Sequence, residues 1–552
     1  MWEISRAFLF YNVYLCIKQF CTMRKLENTI KRIYLTLLCI FMCGLLGTAN
    51  AGTRNVVRVS PADLQGDGQS VYQRLREIHA SALAKGSDTR VVYPKGVSVR
   101  VVIPSDATPI PLTSYTDFGG CRFVVENTSV DRLFLFSMDS RSDLQDIETV
   151  DFELLARASR QVQVSGKVID GGDFSSVPAL AHGHKLLYVY DRKEWSKRDG
   201  RLSIYRRDII HIIDGKAQNH PIYPYSGADS LMCLYDEVKV KEPSFKNLRF
   251  TRSEVSTKRT FLLKASGQMG LKVRNLSIET PKEDQMRPLR PVYEDDQCLY
   301  IRNSVGTLLE NVSISGSYSA TKRHGYGLRL INLYDTSLRN VQADAPWGIT
   351  CGFFLNWVTL DDCVVNRFDC HCYCSDFTYR RCTFQTDTSQ YSSRNCMCQI
   401  ACAFGYMRFL QCRFVKARPL IIEHSYTGAF TGFELSYRDC IFDVHPTYYC
   451  LVEGLTFSEK ESSRCLPNLH MRNCTIRMPE ERTPDAFFLY HFNSQGDDNL
   501  YRDMVHYQSL VSLERVRVVS EGKQVPVRMC NKKLMYNPRL IRRVRNCSFD
   551  SI

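Results

Sequence analysis

The sequence lacks a hydrophobic run long enough to cross a membrane. The apolar stretch at 33–46 falls short of the roughly 20 residues that a spanning helix needs. No cysteine follows a lipobox-like triplet, which argues against a lipid-anchored chain. No nucleic-acid motif is present, and the one strongly basic cluster, Lys532-Lys533 through Arg542-Arg543 and Arg545, does not supply one. Nucleic acid is therefore not an expected partner. After one amphipathic segment near the start no helical pattern recurs, which excludes a helical repeat protein.

What is present begins with an export signal. Met23-Arg24-Lys25 and Lys31-Arg32 form a positive region ahead of the apolar run, and Ala49-Asn50-Ala51 reads as a cleavage site. The reading is a signal over 1–51, with Met23 the expected true start, and a secreted, periplasmic or cell-surface chain beginning at Gly52. Removing 1–51 takes away 6 Lys+Arg and 2 Asp+Glu, leaving 66 against 56, a net charge of +10. That excess suits an anionic partner such as an acidic polysaccharide, and a solvated surface equally well. Of 23 cysteines, 19 lie beyond residue 51, an odd number.

The segment 70–83 carries Val71, Leu75, Ile78 and Ala82 on one helical face, with Ser70 and Gln73 spaced as a capping box. Lone and N-terminal, it suits the cap of a repeat array over 52–100. From residue 244 a short motif recurs, an Asn or Asp between apolar residues: at Asn247, Asn275, Asn311 and Asn340, then with cysteine following at Asp362, Arg381, Gln411, Asp439, Asn473 and Asn546. The steps from Asn247 to Asn473 are 28, 36, 29, 22, 19, 30, 28 and 34 residues. Strand patterns at that period indicate a β-solenoid, a single-stranded right-handed parallel β-helix in which stacked coils bury a common column. Regular coils are expected over 244–552 and irregular early coils over 101–243, where 168–171 and 212–215 look like strand-to-turn junctions. The recurring Asn is expected to bond local backbone or its equivalent in the next coil. Cys363, Cys382, Cys412, Cys440 and Cys474 are expected inside the column as unpaired thiols. The same turns account for the Asn-x-Ser/Thr triplets, and the insertions at 281–296 and 482–507 read as loops on the binding face.

Asp67 with its flanking glycines, the helix after it and Val92-Tyr93-Pro94-Lys95-Gly96 resemble the N-terminal cap of pectate-lyase-like secreted β-helix proteins. Gly325-Tyr326-Gly327-Leu328, Trp347-Gly348-Ile349-Thr350 and Asn366-Arg367-Phe368-Asp369-x-His371 are similar to a bacterial subgroup of that superfamily. The resemblance covers nearly all of the chain after the signal. It implies a fold, whereas activities within the superfamily range from lyases, hydrolases, esterases and epimerases to phage adhesins. It also implies that substrate lies along the outer face of one parallel sheet, here the strand at 367–373.

On that strand Arg367, Asp369, His371 and Tyr373 alternate with Phe368, Cys370 and Cys372. Arg329, Glu423 and Glu453 would join from neighbouring coils, with Tyr326 and Trp347 as sugar-stacking aromatics. An arginine neutralises a uronate carboxylate, a histidine takes the proton alpha to it, and an aspartate fixes the imidazole tautomer. That outlines β-elimination by His371, Arg367 and Asp369, with Arg329, Tyr373, Glu423, Tyr326 and Trp347 binding substrate. A surface ladder of paired charges gives the same pattern. A glycoside hydrolase would need two carboxylates, for which Asp369 with Glu423 or Asp344 is available. The polygalacturonase signature and the calcium-binding aspartate cluster of pectate lyases are both missing. Cysteine spacing around Cys370-His371-Cys372 does not suit zinc, because alternate strand residues face apart. The expectation is a carbohydrate-active enzyme without a cofactor, or else a non-catalytic glycan-binding solenoid.

Overall fold

The computed structural model describes residues 55–138, 160–198, 202–238, 242–279, 297–315, 326–344, 348–372, 374–385, 398–400, 403–416, 420–422, 426–427, 434–445, 449–454, 467–479, 485–492, 510–520, 525–531 and 541–548.

Each expected repeat turn is a residue in the left-handed region. Asn247, Asn275, Asn311, Asn340, Asp362, Arg381, Gln411, Asp439, Asn473 and Asn546 all have φ between 48° and 63°. Asn and Asp tolerate that conformation best among residues with a Cβ. Strands on either side pair in parallel with the same strands of the next coil, so Phe245 meets Val273, Leu309 meets Leu338, and Tyr379 meets Phe409. The result is a right-handed parallel β-helix. Two further left-handed columns bend the coil ahead of the Asn turn. Gly267, Asn303, Asn332 and Phe354 form one, and Gly270, Gly306, Asp335, Trp357 and Asp376 the other.

The turns are tied across coils. Asn275 Nδ2 donates to Asn247 Oδ1 at 2.8 Å, Asn311 to Asn275 at 3.1 Å, and Asn340 to Asn311 at 2.8 Å. Where Asp362 and Arg381 take over, the guanidinium grips the Asp362 carboxylate with Nε at 2.7 Å and Nη2 at 2.9 Å. The residue after each turn points inward. Cys363, Cys382, Cys412, Cys440 and Cys474 are buried free thiols in the main core. Beside them, Tyr379, Phe409 and Tyr437 stack nearly parallel, with centroids 4.5 and 4.8 Å apart. One strand spacing separates coils, so identical positions meet face to face.

The helix Gly68–Ala84 packs Val71, Tyr72, Leu75, His79 and Ala82 inward. Its cap is Asp67, whose Oδ1 accepts the Ser70 N–H at 2.9 Å, so the Ser70–Gln73 capping box is not the one used. An Asp side chain three residues ahead already satisfies that N–H. Ser98–Val102 and Ile110–Pro111 pair with the second coil at Tyr115–Glu126 and Leu133–Met138. The third coil, Ser244–Arg252 and Thr260–Ser266, stacks directly on that second coil. Asn127, fully buried, seals this seam, its side chain donating to Thr260 Oγ1 at 2.8 Å.

Between the second and third coils, the described residues 160–198 and 202–238 do not continue the helix but fold as an antiparallel sheet ordered Lys216–Ala217, Leu202–Ile213, His184–Arg198, Leu231–Glu237 and Arg160–Val162. The expectation of coil junctions at 168–171 and 212–215 does not hold. Gly166–Gly171 is a short helix, and Asp214–Gly215, both at positive φ, form the two-residue turn of a hairpin. This flank sheet packs on the outer surface of the β-helix, burying Val305 and Phe354 against its own core and covering part of Tyr334. Farther along, Arg198 pairs with Tyr426 of a later coil. Buried Asp208 fastens the sheet's last loop, accepting from Tyr225 Oη at 2.9 Å and from the Ile222 N–H at 3.2 Å, and burial raises its carboxyl to about 7.

Candidate functional site

The strand nominated from sequence exists as Phe368–Cys372 and lies in one sheet with Gly348–Asp361 before it and Cys398–Ile400 after it. The last of these was not anticipated, and it moves Leu420–Ile422 one coil farther away. Strict alternation breaks inside the strand. Cys370 pairs with Gly352 but Cys372 with Phe353, which leaves His371 as the extra residue of a β-bulge. Register sets Lys264, Tyr300, Arg329, Cys351, Asp369, Gln399, Ile421, Glu453 and His491 on one line down the sheet.

The two nominated arginines are withdrawn from solvent, Arg367 at 3% and Arg329 at 9% exposure. The Arg329 guanidinium carbon stands 5.7 Å from the Tyr300 ring centroid, and Arg302 takes the same ring at the same distance. Tyr300 in turn stacks on Phe134 at 5.9 Å. Arg329 is thus held against a hydrophobic cluster of Phe134, Phe261, Tyr300 and Ile331. Glu453 is also buried. Arg329 and Asp369 are brought onto one line, two strands apart, and Glu453 onto the same line three strands beyond Asp369. The side chains of Asp369, His371 and Tyr326 lie outside the described residues, as do Tyr373, Trp347 and Glu423 entirely. Among the described residues no group of three or more His, Cys, Asp or Glu is placed to hold a metal ion. No helix among them is long and apolar enough to cross a membrane.

A second constellation escaped the sequence reading. At the corner five residues ahead of the Asn turn, Asp335, Trp357 and Asp376 occupy successive coils, with φ of 57°, 60° and 59°. A positive φ is a genuine outlier for a tryptophan. Trp357 is 52% exposed and stacks on Tyr334, with ring centroids 5.9 Å apart and an interplanar angle of 27°. Asn356 beneath it is buried, and its Oδ1 accepts the Ser375 hydroxyl at 3.0 Å. On the next coil, Gly405 and Tyr406 both oppose Asp376 as a bulge. A Cβ at Gly405 would stand only 3.0 Å from the Asp376 carboxyl carbon, so the glycine makes room for that carboxylate. Arg408 lies over the Tyr406 ring at 3.6 Å. Burial raises the Asp376 carboxyl, opposed by hydrogen bonds from Ser375 and the Tyr406 N–H. Burial and the carboxylates of Asp335 and Asp376 push Tyr334 up to about 12. The signal was in the repeats: aligned on the Asn turns, Gly270, Gly306, Asp335, Trp357 and Asp376 fall into one column.

No protein-family model matches the chain, and no curated protein sequence matches it. Several solved structures are similar in fold. One is the tailspike of Acinetobacter baumannii bacteriophage AP22 in complex with A. baumannii capsular saccharide, at 9% identity and a TM-score of 0.45, covering 86% of this chain and 76% of that one. Another is a tailspike protein from Pseudomonas phage LKA1, at 11% identity and 0.46, covering 87% and 74%. A third is the A-module of a mannuronan C-5 epimerase from Azotobacter vinelandii, at 11% and 0.32, covering 86% and 97%. Likenesses at this level leave the chemistry open.

Proposed function

We propose that this is an exported carbohydrate-active β-helix protein, akin to the pectate-lyase-like superfamily, that takes an acidic glycan along the outer line of its sheet and cleaves it by β-elimination. The observation carrying this reading is the register that lines up Lys264, Arg329, Asp369 and Glu453. That line runs along the helix axis in steps of about 4.8 Å. It is the direction in which an extended polymer can meet many coils at once. Buried charges are costly to keep and concentrate where chemistry uses them. The bulge at His371 fits a site in which one side chain is re-aimed.

In this proposal Arg367, helped by Arg329, binds the uronate carboxylate. His371 takes the proton from the adjacent carbon, with Asp369 holding its tautomer. The electron pair left on that carbon forms the new double bond as the glycosidic oxygen departs with the electrons of its bond and takes a proton from water. The test is a panel of acidic and neutral glycans, read for the ultraviolet absorbance of the unsaturated product. His371→Ala should abolish turnover and leave the fold intact, while Arg367→Ala should raise KM and lower kcat together. Reducing ends without a double bond would replace elimination by paired-carboxylate hydrolysis. Binding without any product would make the protein a glycan-binding solenoid.

A further inference from the structure

The corner that carries Trp357 is apart from the line of the proposed elimination site, separated from Cys351 on that line by the left-handed residue Phe354. Three features there have no explanation in the packing of the β-helix. A large aromatic side chain stands half in solvent where the equivalent residues two coils earlier and one coil later are Gly306 and Asp376. It does so from a left-handed backbone, a conformation that costs a non-glycine residue roughly 1–2 kcal/mol. One of its faces is backed by Tyr334, which the flank sheet holds in place, so the ring is a supported plate rather than a loose side chain.

We propose that Trp357 is the floor of a second glycan subsite, one that takes an uncharged pyranose unit. A tryptophan ring backed on one side offers its other face to the C–H face of a sugar, an apolar contact with a polar rim. The rim is supplied by the column itself. Asp335 stands one coil before Trp357 and Asp376 one coil after, each about 4.8 Å away along the axis. Carboxylates accept hydrogen bonds and donate none when ionised, so they suit the hydroxyls at the two edges of a ring lying on the indole. The Asp376 carboxylate sits in the space that Gly405 leaves on the following coil. Two carboxylates so near the plate repel a uronate. The subsite therefore selects neutral units, unlike the elimination site, and the two readings stand or fall separately because this one is tested by binding alone.

The experiment is calorimetric titration of the full chain with uncharged hexasaccharides of glucose, galactose, mannose and N-acetylglucosamine, and with oligouronates. At least one neutral hexasaccharide should bind. Trp357→Ala should weaken it by roughly tenfold or more, the loss of a central aromatic anchor. Trp357→Phe should restore most of the affinity, and Asp376→Asn should weaken it severalfold with an unchanged melting temperature. Should Trp357→Ala fail to fold, Trp357→Gly, which suits the positive φ, serves instead. The proposal is overturned if no neutral hexasaccharide binds, or if the plate-less variant binds as tightly as the parent.

Discussion

At the scale of single residues, the left-handed positions explain most of what the sequence displays. A repeating Asn looks like a turn marker, and it is one, because its amide both tolerates φ near 55° and reaches its counterpart one coil away. Arg381, Gln411 and Arg515 occupy the same conformation without that tolerance. Arg381 compensates by a two-pronged bond to Asp362, which in turn holds that carboxyl below its usual range. His79 is a residue whose role the sequence concealed, since a histidine on a helix face reads as polar surface. It is fully buried, with Nε2 2.7 Å from the Tyr93 hydroxyl, and burial lowers its pKa to about 3. The folded state thus resists protonation that the unfolded chain accepts near pH 6.5. Stability from this residue is complete above pH 6.5 and is lost as pH falls from there toward 3, at up to ~1.4 kcal/mol per pH unit. Thermal melting at stepwise lower pH should show that decline, and His79→Gln, which keeps a hydrogen-bonding group without an imidazole, should flatten it.

At the scale of elements, one coil's worth of turn is the natural unit to perturb. Asn311 donates to Asn275 and accepts from Asn340 while sitting at φ 55°. Asn311→Ala removes both bonds and puts a methyl group into the left-handed region, so about 2 kcal/mol of stability should go. Asn311→Gly removes the bonds but relieves the backbone, and the difference between the two variants in denaturant melts isolates the conformational part. The elements legible in the sequence were those with this turn: every coil from Asn247 to Asn473 stands where its spacing placed it. The coil turning at Arg515 carries no such signal, because Val516 stands where cysteine does in its neighbours. Cys398–Ile400 was not legible because a strand of three residues shows too little alternation to stand out. The flank sheet was not legible for a deeper reason. Period-two alternation is common to antiparallel hairpins and to solenoid strands, and only the partner differs. The Trp357 corner was legible in the column of aligned repeats, yet one aromatic among glycines and aspartates carries no periodic signal of its own.

At the scale of the whole molecule, the thiol column is a property of many coils together. Cys382, Cys412, Cys440 and Cys474 each donate to the carbonyl two residues back and to one on the preceding coil, at 3.2–3.6 Å. Burial, reinforced by the neighbouring thiols, pushes Cys440 up and away from the reactive thiolate. Because all of them are buried, a thiol reagent should find Cys363, Cys382, Cys412, Cys440 and Cys474 unreactive in the native protein and all reactive once it is denatured without reductant; their absence from the denatured count would mean that they are cross-linked.

The excursion between the second and third coils bears on the order in which the molecule can be made. Every later coil seals onto one that left the ribosome a few tens of residues before it, as Ser244 does when Lys272 arrives. The second coil must wait from Tyr115 to Ser244, 129 residues, before its exposed strand edge finds a partner. In chain-closure entropy the longer wait costs only about 1.3 kcal/mol over a 28-residue step. In time it leaves the capped N-terminal coils with an open edge while the whole flank sheet is synthesised, which makes that edge the place where a nascent chain is most exposed to pairing with the wrong strand.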